Sequence, residues 1–362
     1  MLILFLTDAV GDFVSDPLYV GLSRLLGNVR VVDYPYKRRF HDPDSRVWWL
    51  PQRSGQHYSR EEILDLLRDH AFDLVCLASF RQEGIEECAR LHERVRFPPT
   101  VFIEGEDHDK IRHDVVGKFP ISLYFKRDYV WGLGSSFQNL AELCWVFRRS
   151  RKLRERTIPL PISIVLDTLP ELGSVPKEID VSYRAHACHP RRAKALNILS
   201  QMNGVHFSGG LYAGAHERKY KLKAGRWERL ITKLWDNSLV SKEDQQQKFK
   251  PEAYYRELAA SKIGVAIRGG GRSYLRYFEI AAMGTLLLTE RPETVIPHNF
   301  VDRQHAVYCR ADLGDLKALV LYYLREDAER EAIAREGRLH LLKYHTCERR
   351  AEYFVEACRR FL

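Results

Sequence analysis

Residues 267–289 read IRGGGRSYLRYFEIAAMGTLLLT. An apolar run ends at Ile267, glycines fill positions 269–271, and Ser273 opens a segment that reads as a helix to Met283. Gly284 stands where a helix end favours a left-handed backbone, and residues 286–289 are apolar again. This order predicts a strand over 263–267, a glycine loop, a helix over 273–283 and a strand over 286–289. Glycine lets the backbone approach a ligand closely, and the free N–H groups at a helix start favour phosphate. Arg268, Arg272 and Arg276 add positive charge to the backbone of Gly270, Gly271 and Ser273, with Tyr274 beside them. The stretch is therefore a candidate anion site. The same glycines also suit a plain turn, and Arg276 with Glu279 also suits an i,i+3 ion pair on an exposed face. Neither GxGxxG nor a P-loop is present, since no Gly-Lys-Ser/Thr follows.

Working outward, the same alternation continues on both sides. Strand 179–183, helix 190–202, helix 254–260 and helix 313–325 are predicted, and Thr346 is a candidate N-cap for a last helix. In the N-terminal half, strands are predicted over 2–7, 29–32, 72–77, 100–103 and 121–125, and helices over 17–26 and 82–94. Ser59-x-x-Glu62 matches a capping box for a helix through His70, and residues 33–57 read as a long aromatic and basic loop. Apolar strands without clean alternation, separated by helices, indicate parallel sheets covered on both faces. Between the halves, a basic run over 148–156 precedes Pro159, Pro161, Pro170 and Pro176, and reads as a connection. The expected organisation is a domain over 1–170, a second over 171–345 and a last helix over 346–362. Two such domains imply a cleft, with ligands at the carboxyl ends of the strands.

Composition agrees with an ordinary globular chain of 362 residues, 45% hydrophobic and 29% charged. The net charge of +9 favours an anionic partner. No apolar run approaches the roughly 18–20 residues of a membrane span. The apolar start at 1–7 has no basic leader and no small-residue cleavage site, so it is read as a buried strand. Seven scattered cysteines without a CxxC pair indicate neither a disulfide framework nor a structural zinc, and a reducing cytoplasm is expected.

Other chemistry sits after the strands. Asp12 and Asp16 follow the first strand; either is a candidate base, and either equally suits capping of the next helix, Asp16 as its N-cap. Glu104-Gly-Glu106-Asp107-His108 is rich in carboxylates and offers an acceptor-side base, with a metal as the alternative. His186, Cys188 and His189 are poorly spaced as metal ligands and read as polar residues of a strand-to-helix turn. No Gly-x-Ser-x-Gly elbow occurs, and His206, His216, His298 and His305 read as surface or satisfied histidines.

Arg276-x-Phe278-Glu279-Ile-x-x-x-Gly284, the apolar strand and Thr289-Glu290 resemble the C-terminal signature of group 1 glycosyltransferases, in the spore-maturation-protein-like type. Residues 179–183 with Pro190-Arg191-Arg192 resemble the start of that family's C-terminal domain. Residues 322–333 resemble its penultimate helix, and His345-Thr346 with Arg349 the start of its last. The resemblance implies a GT-B fold: α/β, two doubly wound Rossmann-like domains facing across a cleft, with the last helix crossing back. It implies a nucleotide-diphospho sugar as co-substrate on the C-terminal domain, an acceptor (glycan, small molecule, protein or nucleic acid) on the N-terminal one, and no metal or other cofactor. Arg268, Arg272 and the backbone at 270–273 would stabilise the leaving diphosphate. Glu279 would hold the ribose, and Asp12, Glu106 or His186 would serve catalysis. Two departures stand out. Eight residues before Glu279 the family often has a second glutamate, and here Gly271 stands there. Its tight glycine after the first C-terminal strand is replaced around residues 184–186, where His186 or Arg191 would take over the diphosphate contact. The rival expectation is a non-catalytic nucleic-acid or polyanion binding protein on the same fold.

Overall fold

The computed structural model describes residues 1–41, 56–130, 156–212 and 251–362. Pro43, Pro51, Cys144, His216 and residues 148–155 of the basic run lie outside the described residues. The chain divides into two compact units. The first comprises Met1–Thr168, Thr294–Pro297 and His345–Leu362; the second comprises Leu169–Glu293 and His298–Tyr344. No helix among the described residues is long and apolar enough to cross a membrane.

The first unit is built on strands β1 (Ile3–Leu6), β2 (Val31–Tyr34), β3 (Leu74–Leu77), β4 (Thr100–Glu104), β5 (Ile121–Lys126) and β6 (Thr157–Pro159). All pair in parallel, in the order β2-β1-β3-β4-β5-β6. Each of β1 to β4 is buried along its whole length, which is why its sequence is an apolar run without alternation. Helices α1 (Ser15–Leu26), α2 (Arg38–His41), α3 (Arg60–Arg68), α4 (Gln82–His92) and α5 (His113–Val116) connect them. The Ser59 capping box is formed: its hydroxyl accepts from Glu62 N, and the Glu62 carboxylate accepts from Ser59 N at 2.7 Å. Two expectations are corrected. The proline-rich span is not all connection, because its beginning is β6. That strand lies at the sheet edge, where the missing N–H of Pro159 costs no ladder bond. Asp16 is not the N-cap of α1, since the helix begins at Ser15 and Asp16 lies inside its first turn.

The last helix, α11 (Cys347–Phe361), belongs to the first unit and packs along α1. Thr346 is its N-cap, accepting from Arg349 N at 3.4 Å. Gly21 makes the packing this close: a Cβ there would stand 2.1 Å from the Cys347 carbonyl oxygen. Arg24, one turn further along α1, pairs with Glu348.

The second unit holds β7 (Ile179–His186), β8 (Phe207–Tyr212), β9 (Ser261–Ala266), β10 (Leu286–Glu290) and β11 (Val307–Cys309), all parallel, in the order β11-β10-β9-β7-β8. Helices α6 (Pro190–Ser200), α7 (Pro251–Ala260), α8 (Arg276–Ala282), α9 (Leu316–Arg325) and α10 (Asp327–Tyr344) complete it. Its core joins Val181, Leu211, Val265, Leu288 and Val307 of the sheet to Leu199, Val320 and Ile333 of the helices. In both sheets the strand order reverses beside the first strand of the unit, between β1 and β3 and between β7 and β9. The ends of those strands flank the crevice where ligands of such folds sit.

Candidate functional site

In the second unit, the loops after β7, β9 and β10 carry a ladder of alternating charge. Arg191 donates to Glu290 at 2.7 Å. The other oxygen of Glu290 accepts from the backbone N–H of Arg268 at 2.8 Å. The Arg268 side chain reaches Glu293 at 3.3 Å, and Arg272 pairs with the same carboxylate. Glu290 is 4% exposed and fixed, whereas Glu293 stands nearer solvent. The buried Nε of Arg268 makes no hydrogen bond among the described residues. Three guanidinium groups thus face two carboxylates, leaving net positive charge at the strand ends.

Arg192 locks the two loops together. Its Nε donates to the carbonyl oxygens of Ile267 and Arg268 at 3.0 and 3.2 Å, and its Nη1 to that of His186 at 3.0 Å. Gly269 makes room for it, since a Cβ there would lie 2.8 Å from the guanidinium. His189 caps α6, its Nδ1 accepting from Arg191 N at 3.2 Å. Burial, with the charges of Arg268, Arg191 and Arg192, pushes His189 down to about 4, so it is neutral at pH 7. His186, at the end of β7, is exposed.

The helix expected from Ser273 begins three residues later. Residues 267–275 stay irregular, Tyr274 anchors its hydroxyl to Thr289 Oγ1 at 2.8 Å, and α8 starts at Arg276. Gly270, Gly271 and Ser273 therefore belong to a loop and not to a helix start. Glu279 lies in the first turn of this short helix, 4% exposed. Its two carboxylate oxygens accept from the hydroxyls of Tyr254 and Tyr255 at 2.8 and 2.9 Å, and Arg276 Nε donates to Tyr254 at 3.1 Å. An exposed Arg276–Glu279 pair is thus ruled out: the two residues are joined through a tyrosine on α7. Burial raises the Glu279 carboxyl above its ordinary range.

The other candidates lie in the first unit, at the ends of β1 and β4. Asp12 Oδ1 accepts from Val14 N at 2.8 Å and Ser15 N at 2.6 Å, so Asp12 takes up the open N–H groups at the start of α1. Asp16 is fully buried against Lys37 at 2.7 Å, and burial pushes it up to about 6. Glu106 sits 2.9 Å from His108 Nε2 and accepts from Arg112 at 3.3 Å. The hydrogen bond to Glu106 raises His108, and the same bond lowers Glu106.

Glu104, Glu106 and His108 place ligand atoms within 4.8 Å of one another, the spacing of a metal site. The group already has a cation. Lys126, buried, donates to Glu104 and lies 3.3 Å from His108 Nδ1, while the Tyr124 hydroxyl donates to the same glutamate. A divalent ion would have to displace or face that ammonium.

Sequence alone does not single out Glu293, Tyr254 or Tyr255, and it gives Arg192 and Glu290 only as parts of the resemblance, with no role in the site.

Residues 194–356 match a protein family described as glycosyl transferase-like. No curated protein matches the chain in sequence. HepE of Anabaena, solved with UDP and glucose, is 12% identical, with 99% of this chain and 100% of that one covered and a TM-score of 0.59. A glycosyltransferase from Rickettsia africae is 10% identical, covering 99% and 98%, with a TM-score of 0.60. Sucrose-phosphate synthase from Thermosynechococcus elongatus is 12% identical, covering 99% and 98%, with a TM-score of 0.52. At these identities the likeness is one of fold, and the fold is GT-B, with two Rossmann-like units.

Proposed function

We propose that the chain is a glycosyltransferase of group 1 type that moves a sugar from a nucleotide-diphospho sugar to an acceptor hydroxyl. The observation that carries this is the arginine ladder at the strand switch point of the second unit, in which the buried Nε of Arg268 lies 3.9 Å from Glu290 and makes no hydrogen bond among the described residues. The glycosyl transferase-like match over residues 194–356, which spans the ladder, supports it, as does the fold shared with HepE, a protein solved with UDP.

In the reaction, the acceptor oxygen bonds to the anomeric carbon, the bond from that carbon to the diphosphate oxygen breaks, and the acceptor proton passes to a base. Negative charge grows on the departing diphosphate. Arg268 and Arg272 would meet it, with backbone N–H groups of 270–273, because Glu293 can swing to solvent and release them. Arg191 is already held by buried Glu290 and would act at longer range. Neutral His189 would donate a hydrogen bond without adding fixed charge. Asp12, Glu106 and His186 remain the candidate catalytic groups, with the Glu106 carboxylate held ionised by its bond to His108. Glu279 would reach a ribose only if Tyr254 and Tyr255 gave up its oxygens.

The proposal includes independence from divalent metal, supported by the ammonium that fills the Glu104–Glu106–His108 group. It also favours turnover over simple polyanion binding, because most of the ladder's charge is already matched by carboxylates. A panel of nucleotide sugars, scored by thermal stabilisation and by hydrolysis with and without EDTA, tests it. Stabilisation by at least one donor, unchanged by EDTA, is expected. Affinity for DNA or RNA with a steep salt slope, and for no nucleotide sugar, would replace it with the polyanion role.

A further inference from the structure

The second unit has another cationic feature, at the edge where its strands begin. A pocket of about 330 Å³ opens there. Lys177 precedes β7, Lys262 opens β9, Gly284 precedes β10, and α10 contributes Arg335, Arg338 and Leu339. Arg330, one turn earlier on α10, also lines it, and Glu331 is its single acid.

Three of these cations are matched inside the protein. Arg330 pairs with Asp327 and donates to the Tyr323 carbonyl at 2.9 Å; Lys262 pairs with Asp180 at 2.7 Å, and Arg335 with Glu336 at 3.4 Å. Two are not. The Lys177 ammonium donates to the Gly284 carbonyl at 3.2 Å and to Thr285 Oγ1 at 2.9 Å, both neutral acceptors. An ammonium has three N–H donors, so one is left over. Arg338, exposed and lining the same pocket, makes no ion pair among the described residues. Lys177 is exposed as a residue; desolvation of its ammonium, with the charge of Arg330 and against that of Glu331, pulls it down to about 8. The remaining wall is apolar: Ala334, Leu342 and Leu339, the last 54% exposed.

A pocket with unneutralised cations on one side and aliphatic carbon on the other selects an anion attached to a small apolar body. Its volume, at the small end for ligand pockets, admits a phosphate with a few carbons. We infer that this pocket binds a phosphate-class anion, supplied either by a small organic phosphate or by a phospholipid headgroup. The strands run from this edge toward the arginine ladder, and the eight residues of β7 span roughly 26 Å at about 3.3 Å each. The occupant therefore does not compete for the ladder.

The test uses the full chain in two arms. Glycerol 3-phosphate is titrated by calorimetry, and vesicles of phosphatidylglycerol are co-sedimented against vesicles of phosphatidylcholine. Saturable binding of glycerol 3-phosphate identifies a soluble ligand; binding to phosphatidylglycerol vesicles alone identifies the lipid. In whichever arm binds, Arg338→Glu should weaken it by about tenfold or more, the loss of one charge-assisted contact, while Arg338→Lys keeps most of it. Lys177→Gln should weaken it comparably, and UDP affinity should not move in any variant that melts like the parent. Absence of binding in both arms, binding unchanged by Arg338→Glu, or displacement by UDP would each overturn the inference.

Discussion

Replacing Arg272 with alanine separates a diphosphate contact from a surface ion pair. In the ligand-free chain Arg272 pairs with Glu293, at side-chain exposures of 30% and 43%. A pair so exposed contributes about 0–1 kcal/mol, so the variant should melt within a few degrees of the parent. Against a diphosphate, the same guanidinium makes charge-assisted hydrogen bonds of about 1.5–3 kcal/mol, and their loss should weaken UDP by roughly 10- to 150-fold. Uridine carries no phosphate, and its affinity should stay within about twofold. Glu293→Gln runs the other way. It removes the Glu293 carboxylate from Arg272 and from one contact of Arg268, so UDP should tighten by up to about fivefold, the equivalent of the lost surface pair. In the double variant the gain from Glu293→Gln should shrink, because the Arg272 half of that pair is already gone. Calorimetry of UDP and uridine on the four proteins gives the whole cycle. Equal weakening of UDP and uridine by Arg272→Ala, or weaker UDP binding by Glu293→Gln, would refute the assignment of the diphosphate to this ladder.

Glu279→Ala should lower stability by about 2–4 kcal/mol, read by urea denaturation, because it strands two tyrosine hydroxyls and Arg276; a variant as stable as the parent would contradict the buried network. His189, with a folded pKa of about 4 against an ordinary 6.5, binds fewer protons folded than unfolded between those values. Stability should therefore fall as pH drops from about 6.5 to 4. The effect is about 3 kcal/mol at full linkage and roughly half that after solvent screening, and His189→Gln should flatten the slope. A diphosphate offsets the arginines beside His189, so UDP binding near pH 5 should take up protons, seen as a buffer-dependent binding enthalpy. Gly21→Ala should cost about 2–3 kcal/mol through its clash with the Cys347 carbonyl, measured as a lower Tm; an unchanged Tm would show that α1 and α11 can separate at no cost.

The sheets were largely legible because parallel strands buried on both faces are apolar runs, as at residues 74–77 and 286–290. Capping chemistry was legible where it is local, at Ser59 and Thr346. Three strands were not. β6 contains a proline, β8 contains Gly209-Gly210, and β11 has three residues; each is held by its neighbour in the sheet more than by its own pattern. The helix expected from Ser273 starts only at Arg276, because the bond from Tyr274 to Thr289 holds the chain before it as loop. Arg268 and Arg272 were found from local sequence. Their partners Glu290 and Glu293, at and after the end of β10, and the clamp Arg192, on α6, come from other segments, and the covering of Glu279 depends on tyrosines 24 and 25 residues upstream. Those contacts arise only when the strands align.

The seating of α11 on α1 has a further consequence for how the molecule is made. Domains generally fold as they leave the ribosome, N-terminal part first. Here the groove of α1 around Gly21 is filled by a helix that begins at Cys347, so the first unit stays unfinished until that helix has been made. Until then its nascent chain shows apolar surface to whatever lies nearby, while all the strands described in the second unit are out once Cys309 is made. The unit encoded first is thereby the one completed last, and a ribosome stalled before residue 347 would release a chain with its second sheet whole and its first one open along α1.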